Sequence, residues 1–264
     1  RYTLTVPFRE SVLDTEPLRE TIAEAIDEPV LDAVAAAYAE GRRLYVASTD
    51  LDSNRLVVWD LGAIAASGHP NRLQKYRDVL LASAAIPVGF PPVYFPIDID
   101  GQRYGQMHVD GGIVANFFLT GFLLDKQKQL AARTVNRHTV NAHLYLLMNS
   151  QLTRQPPTHS VTPDLMSIAA ASNWATAWSA QSHQLVRTYR AATGIGIHLR
   201  LAGIPDDYTG PLPLASFDPD EMKPLFEFGR QLAVRHDLWL KAPPGIDPRE
   251  KIGDPDTGLS SLAD

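Results

Sequence analysis

Met107-His108-Val109 is a strand-like run that ends in an aspartate and two glycines, Asp110-Gly111-Gly112, before Ile113-Val114-Ala115-Asn116. This order restricts what the chain can fold into. An apolar strand must leave its sheet at Asp110, turn over glycines, and continue as a helix, predicted over 116–132. A carboxylate is thereby placed at the end of a strand. Just upstream, Asp100-Gly101 separates two strand patterns, Val93 to Ile99 and Gln102 to Val109. Asp-Gly tolerates positive φ and is a favoured two-residue hairpin turn.

Other segments read with the same rules. Asp14-Thr15-Glu16-Pro17 is a helix start, with a capping oxygen, an early acid and a first-turn proline. Leu18, Ile22, Ala25 and Ile26 form its apolar face. Pro29 opens a second helix, with Leu31 and Val34 inward and Gly41 as its stop. Arg43 to Thr49 and Arg55 to Leu61 are strands joined by the turn residues Asp50 to Asn54. A helix follows Pro70, with Leu73, Tyr76, Leu80 and Leu81 inward. Ala142 to Met148 is a near-continuous apolar run, as expected for a strand covered on both faces. Asn149 to Pro163 reads as a loop, 163–190 as a long helix, Ile195 to Leu201 as a half-buried strand, and 218–235 as a helix capped by Asp218. Strands and helices intermingle, without repeats or a linker, so the class is α/β with a mixed sheet that includes antiparallel hairpins. One domain is expected over 1–242, followed by an extended tail over 243–264 rich in proline, glycine and aspartate.

Composition narrows the function. The chain has 264 residues, 45% hydrophobic and 20% charged, with a net charge of −6, enough for a sizeable core. Without a basic patch, nucleic acid is not an expected partner. Cysteine is absent, which excludes disulfides and thiolate metal sites and leaves the compartment open. Val79 to Ile97 is long enough to span a bilayer but contains Pro87, Pro91, Pro92 and Pro96, and Leu165 to Val186 is too polar. No transmembrane segment is expected. The first residue is Arg1, and no signal-like apolar region follows it, so a processed, trimmed or incomplete start is expected.

Asp110 has two readings. It can be a general base that activates a hydroxyl, or an ordinary turn or helix-cap aspartate. The glycines suit the first role because they allow a sharp turn and the close approach of another segment. An apolar wall beside the carboxylate would raise its basicity. His108 lies two residues before Asp110, so on a strand both point to one face. Asp98, Asp100 and Asp110 could form a divalent-ion cluster, but Asp98 and Asp100 flank a hairpin turn, where solvated acids are common. No metal is expected. Trp174 and Trp178 share a face of the long helix, which suits packing or a lipid interface; the lack of basic residues there favours packing.

The chain also carries strings in a recognisable order. These are Gly41-Arg42-Arg43-Leu44, Thr49-Asp50-Leu51-Asp52, Val58-Trp59-Asp60-Leu61-Gly62-Ala63-Ile64-Ala65-Ala66-Ser67-Gly68, Arg77-Asp78-Val79-Leu80-Leu81-Ala82-Ser83, Asp110-Gly111-Gly112, Phe226-Glu227-Phe228-Gly229 and Trp239 to Gly245. Together they resemble one bacterial branch of the patatin-like phospholipases. The resemblance implies a three-layer α/β/α fold with a mixed central sheet, and hydrolysis of lipid acyl esters through a Ser-Asp dyad without histidine and without a cofactor. Asp110 would be the dyad aspartate, Gly111 and Gly112 its turn, and His108 a supporting or packing residue.

The family's nucleophile lies in a Gly-x-Ser-x-Gly elbow that precedes the similar part, and no serine of this chain sits in that pattern. The resemblance therefore implies that the N-terminal strands, the nucleophile and the oxyanion loop come from a missing N-terminal segment or a second chain. Ser83, Ser48 and Ser67 are read as structural hydroxyls rather than replacement nucleophiles. An open sheet edge would make the isolated chain self-associate. The expected partners are a lipid or other acyl-ester substrate and a peripheral membrane contact. The rival reading is a catalytically silent binding or interaction module.

Overall fold

The computed structural model describes residues 14–87, 89–119, 121–122, 142–153, 160–206, 208–210, 218–235 and 237–246. The chain forms two compact units, residues 1–118 and 119–264.

The first unit opens with two helices whose starts are set by aspartate and proline. In α1 (Glu16–Ala25), Pro17 occupies the first turn and Asp14 Oδ1 accepts the Glu16 N–H at 3.0 Å. In α2 (Glu28–Ala39), Asp27 accepts the Val30 N–H at 3.0 Å, which satisfies a donor the helix cannot. Gly41 follows at φ +98°, the left-handed conformation that ends helices. β1 (Tyr45–Asp50) and β2 (Arg55–Asp60) then pair antiparallel as expected. Asp60 caps α3 (Leu61–Ala66) by accepting the Ala63 N–H at 2.9 Å. This helix is not predicted from the sequence, because its six residues are too few to show a helical period.

After α4 (Arg72–Ser83) come β3 (Val93–Ile99) and β4 (Gln102–Asp110); all of β3 pairs antiparallel with Gln102 to His108 of β4. Their turn is the predicted one, with Asp100 at φ +50° and Gly101 at φ +79°. The strands form an antiparallel sheet in the order β2-β1-β4-β3. Helices supply Leu31, Leu61, Ala65, Tyr76, Val79 and Leu81 to one core, and the sheet supplies Val93 and Phe95. Each fully buried aliphatic side chain among these contributes roughly 1.5–3 kcal/mol. The inward face of α4 is rotated from the prediction: Val79 and Ala82 are fully buried, while Leu73 and Leu80 pack at the margin.

Two arginines tie the helices together. Arg72 donates to Glu28 and Asp32 of α2 at 2.7 Å each, and to the Ala65 carbonyl of α3 at 2.7 Å. Those acceptors push its guanidinium further into the charged form. Arg77 donates to the Ala23 and Ile26 carbonyls, at the end of α1 that lacks intrahelical donors.

In the second unit β5 (His143–Gln151) and β6 (His198–Ile204) pair in parallel. A parallel pair needs a crossover, and the intervening α5 (Leu165–Thr193) supplies it. Asp164 caps α5 through the Ser167 N–H at 2.9 Å. Asp218 caps α6 (Pro219–Ala233) through the Asp220 N–H at 2.8 Å. α5 runs past its predicted end, and Gly196 at φ +80° sets the turn into β6, which begins at His198 rather than Ile195.

The expected mixed α/β class is what the structure shows, with antiparallel strands in one unit and a parallel pair in the other. One expectation for β5 fails. Leu146 is buried, but Tyr145 and Leu147 are exposed, the latter by 76%. Alternate strand residues face opposite sides, and here one side is left open. The helix predicted over 116–132 and the tail over 243–264 fall mostly outside the described residues. Among the described residues, no helix is long and apolar enough to cross a membrane.

Candidate active site

β4 delivers Asp110 to the end of the sheet, as the sequence predicts. It pairs with β1 at Asp50↔His108, Thr49↔Val109 and Ser48↔Asp110, and the strand then ends. The chain continues as a single 3₁₀ turn, Gly111–Ile113. Asp110 Oδ1 accepts the Gly112 N–H at 2.7 Å, and the Asp110 N–H donates to the Ala85 carbonyl at 2.9 Å. The carboxylate is therefore held from its own turn, and its backbone from the segment after α4.

Gly111 is required by space rather than by conformation. A Cβ placed there would stand 2.7 Å from the Ala47 carbonyl oxygen, closer than real Cβ atoms approach. The glycine thus lets the turn lie directly on β1. At Gly112 a Cβ would meet Asp110 Oδ1 at 3.1 Å and Asn116 Oδ1 at 3.0 Å, which would crowd the carboxylate.

Asp110 opens on a cavity of about 310 Å³, lined also by Ala47, Ser83, Gly111, Gly112 and Asn116. The structure brings Ser83 and Asp110 to one hollow, although they lie on different elements. Burial raises the pKa of the Asp110 carboxyl, and the Gly112 hydrogen bond only partly opposes this. A raised pKa makes the ionised carboxylate a stronger base. Near neutral pH such a group can accept a proton from a hydroxyl placed in the hollow.

A second constellation lies beside it. Ser48 Oγ and His108 Nδ1 are 2.8 Å apart, and Trp59 Nε1 donates to Ser48 Oγ at 2.8 Å. A serine bonded to a histidine is the arrangement of an activated nucleophile. Here Ser48 is 0% and His108 1% exposed, so no substrate can reach either. Burial lowers the His108 pKa, and the charges of Asp50 and Asp52 oppose it without reversing it. Asp50 feels burial too, which pushes its carboxyl up, but bonds from Ser53 and the Asp52 amide outweigh that and lower it.

The three serines read as structural hydroxyls behave differently. Ser67 donates to the Ile64 carbonyl at 2.8 Å, Ser48 bonds His108 across the sheet, and Ser83 borders the Asp110 cavity. Sequence reading misses the Ser48–His108 bond because the two residues are 60 positions apart. Only the period-two pattern of each strand hints that both face one side.

The acids considered for a metal are not brought together. Asp98 and Asp100 sit at the β3–β4 turn, while Asp110 ends the nine-residue β4, roughly 25–30 Å of strand away. Among the described residues, no group of three or more His, Asp or Glu is placed to hold a metal ion. Trp174 is 58% exposed, so it does not pack as the helical pattern suggests.

Residues 1–123 match the family model for patatin-like phospholipases. No curated protein matches the chain. The matched segment covers just under half of the 264 residues and takes in the first unit with its Asp110 site.

Proposed function

We propose that this chain supplies the base of a lipid acyl hydrolase that cleaves carboxylic esters through a Ser-Asp dyad, with Asp110 as the aspartate. The observation that carries the reading is the Asp110 carboxylate at a strand end, opening on a cavity, with burial raising its pKa. The match of residues 1–123 to the phospholipase family model supports the substrate class. Asp110 takes the proton of a serine hydroxyl as the serine oxygen attacks the ester carbonyl. The proton passes to the departing alcohol, which leaves an acyl-serine. Water then attacks the acyl carbonyl, Asp110 receives its proton, and the proton returns to the serine as the acid leaves. No cofactor enters these steps. The nucleophile and the oxyanion donors come from residues beyond these 264, in a preceding segment or a second chain. The exposed indole of Trp174 on α5 supports a peripheral contact with the lipid surface, made through the apolar ring and not through charge.

The absence of Gly-x-Ser-x-Gly from the chain favours one second reading, a silent module that keeps the cavity and binds acyl groups. Fluorophosphonate labelling with peptide mapping separates the two. The chain alone is expected to label at no serine. Joined to its upstream coding segment, it is expected to label at one serine of that segment. Asp110→Asn is then expected to slow hydrolysis by about 10²–10⁴-fold with unchanged circular dichroism. The base must be ionised to act, so the rate is expected to rise with pH through the raised Asp110 pKa and then level off. Labelling of Ser83 would replace the external nucleophile with an internal one. A silent upstream segment would leave the binding module.

A further inference from the structure

The buried bonds beside Asp110 have a direction. An indole N–H can only donate, so Trp59 gives its proton to Ser48 Oγ. The Ser48 oxygen could accept a second bond, but its own proton also needs an acceptor, and among the described residues His108 Nδ1 is its only other partner, so the hydroxyl is assigned as donor to an unprotonated Nδ1. This assignment puts the imidazole proton on Nε2, an atom that is buried and has no hydrogen-bond partner among the described residues. The rings of Trp59 and Phe95 stand 5.7 and 4.9 Å from the imidazole centroid. A second proton on the ring would face the proton that Ser48 donates and would bring a charge between aromatic walls.

The bond also crosses the seam on which Asp110 depends. Only three residue pairs join β1 to β4. His108 stands opposite Asp50, yet its side chain reaches Ser48, the partner of Asp110. The contact thus braces the last pair of the ladder diagonally, two residues before the carboxylate.

We infer that His108, as a neutral imidazole with its proton on Nε2, is a positioning residue for Asp110: through Ser48 it holds the end of β4 on β1, and its protonation releases that hold. The inference rests on the reading of Asp110 as the base, and adds a pH-dependent control of the same site. The charged groups around the ring come from several elements. Asp50 on β1 and Asp52 in the following turn favour the imidazolium. Asp110 lies two residues along β4, and Lys75 of α4 lies 5.5 Å from the Trp59 ring. β2 and β3 present Trp59 and Phe95. The lowered pKa of His108 is consistent with these walls prevailing. The sign follows. The unfolded chain binds the proton more readily, so the stabilisation is complete above the ordinary histidine value of about 6.5 and is lost as pH falls through the lowered folded value.

Nuclear magnetic resonance of the ¹⁵N-labelled full chain tests this without turnover. The His108 ring nitrogens report the tautomer, and the Gly112 amide, bonded to the Asp110 carboxylate, reports its ionisation. At neutral pH the proton is expected on Nε2, and the Gly112 shift is expected to titrate above the ordinary carboxylate range. Ser48→Ala and His108→Leu are expected to move that midpoint down, towards a more solvated carboxylate. His108→Asn, whose side-chain oxygen can accept from Ser48 where Nδ1 does, is expected to bring it back up. If His108→Leu does not fold, Ser48→Ala decides. A Gly112 midpoint unchanged in folded Ser48→Ala overturns the inference, as does a His108 proton found on Nδ1. Failure of the catalytic reading shows elsewhere, as hydrolysis surviving Asp110→Asn in the enzyme completed by its upstream segment.

Discussion

The two units of this molecule treat apolar side chains differently. In the first, four helices follow one another at short range around two hairpins, and their inward residues join one core on the sheet. In the second, Leu185, Tyr189 and Ala192 near the end of α5 are buried, as are Leu199 and Leu201 of β6, while Leu147, Leu165, Phe226 and Val234 face solvent. The local patterns are of similar quality in both. α6 is strongly amphipathic, yet Phe226 stays exposed on it. A pattern sets which face of an element is apolar; only a neighbouring element decides whether that face is covered. The unit with the closed core is the one that the family match spans.

Matched substitutions can break this contrast. Leu31→Ala, at a fully buried position of α2, is expected to destabilise the first unit by about 2–5 kcal/mol in chemical denaturation. A smaller value would mean that the core is looser than its burial implies. Gly111→Ala comes next. Its Cβ must push the turn off the Ala47 carbonyl, and a loss of roughly 1–3 kcal/mol is expected, with the Asp110 N–H to Ala85 bond disturbed in amide exchange. Asp27→Ala and Asp218→Ala each remove a helix cap, one per unit, at about 1 kcal/mol. Equal losses would place the difference between the units in packing and not in helix ends. Leu147→Ala is expected to change stability by less than about 0.5 kcal/mol, since most of its side chain already meets solvent. A loss as large as that of Leu31→Ala would erase the contrast.

Much of the first unit was legible because its signals are local. Asp100-Gly101 fixed a hairpin through backbone conformation, and Pro17 and Pro29 marked helix starts where the missing N–H costs nothing. Asp110 was legible as the end of a strand for the same reason. The raised basicity expected of it depends on burial, which the apolar run before it suggested. Other features depend on which strands pair. Neither Ser48 nor His108 announces the other, and the bond between them exists only because β1 lies beside β4. α3 was too short to carry a period. The apolar run in β5 was misread because such a run fits a strand covered on both faces equally well when one face stays open.

The seam between β1 and β4 has a further consequence, in the chain entropy of folding. β1–β2 and β3–β4 are each hairpins whose partners lie close in sequence, so their contacts are local. The three pairs that join them close a loop of about 60 residues, because Ser48 and His108 are that far apart. Closing a loop of this length carries a larger entropic cost than closing either hairpin. Docking the two hairpins and setting the Asp110 carboxylate against β1 are one event.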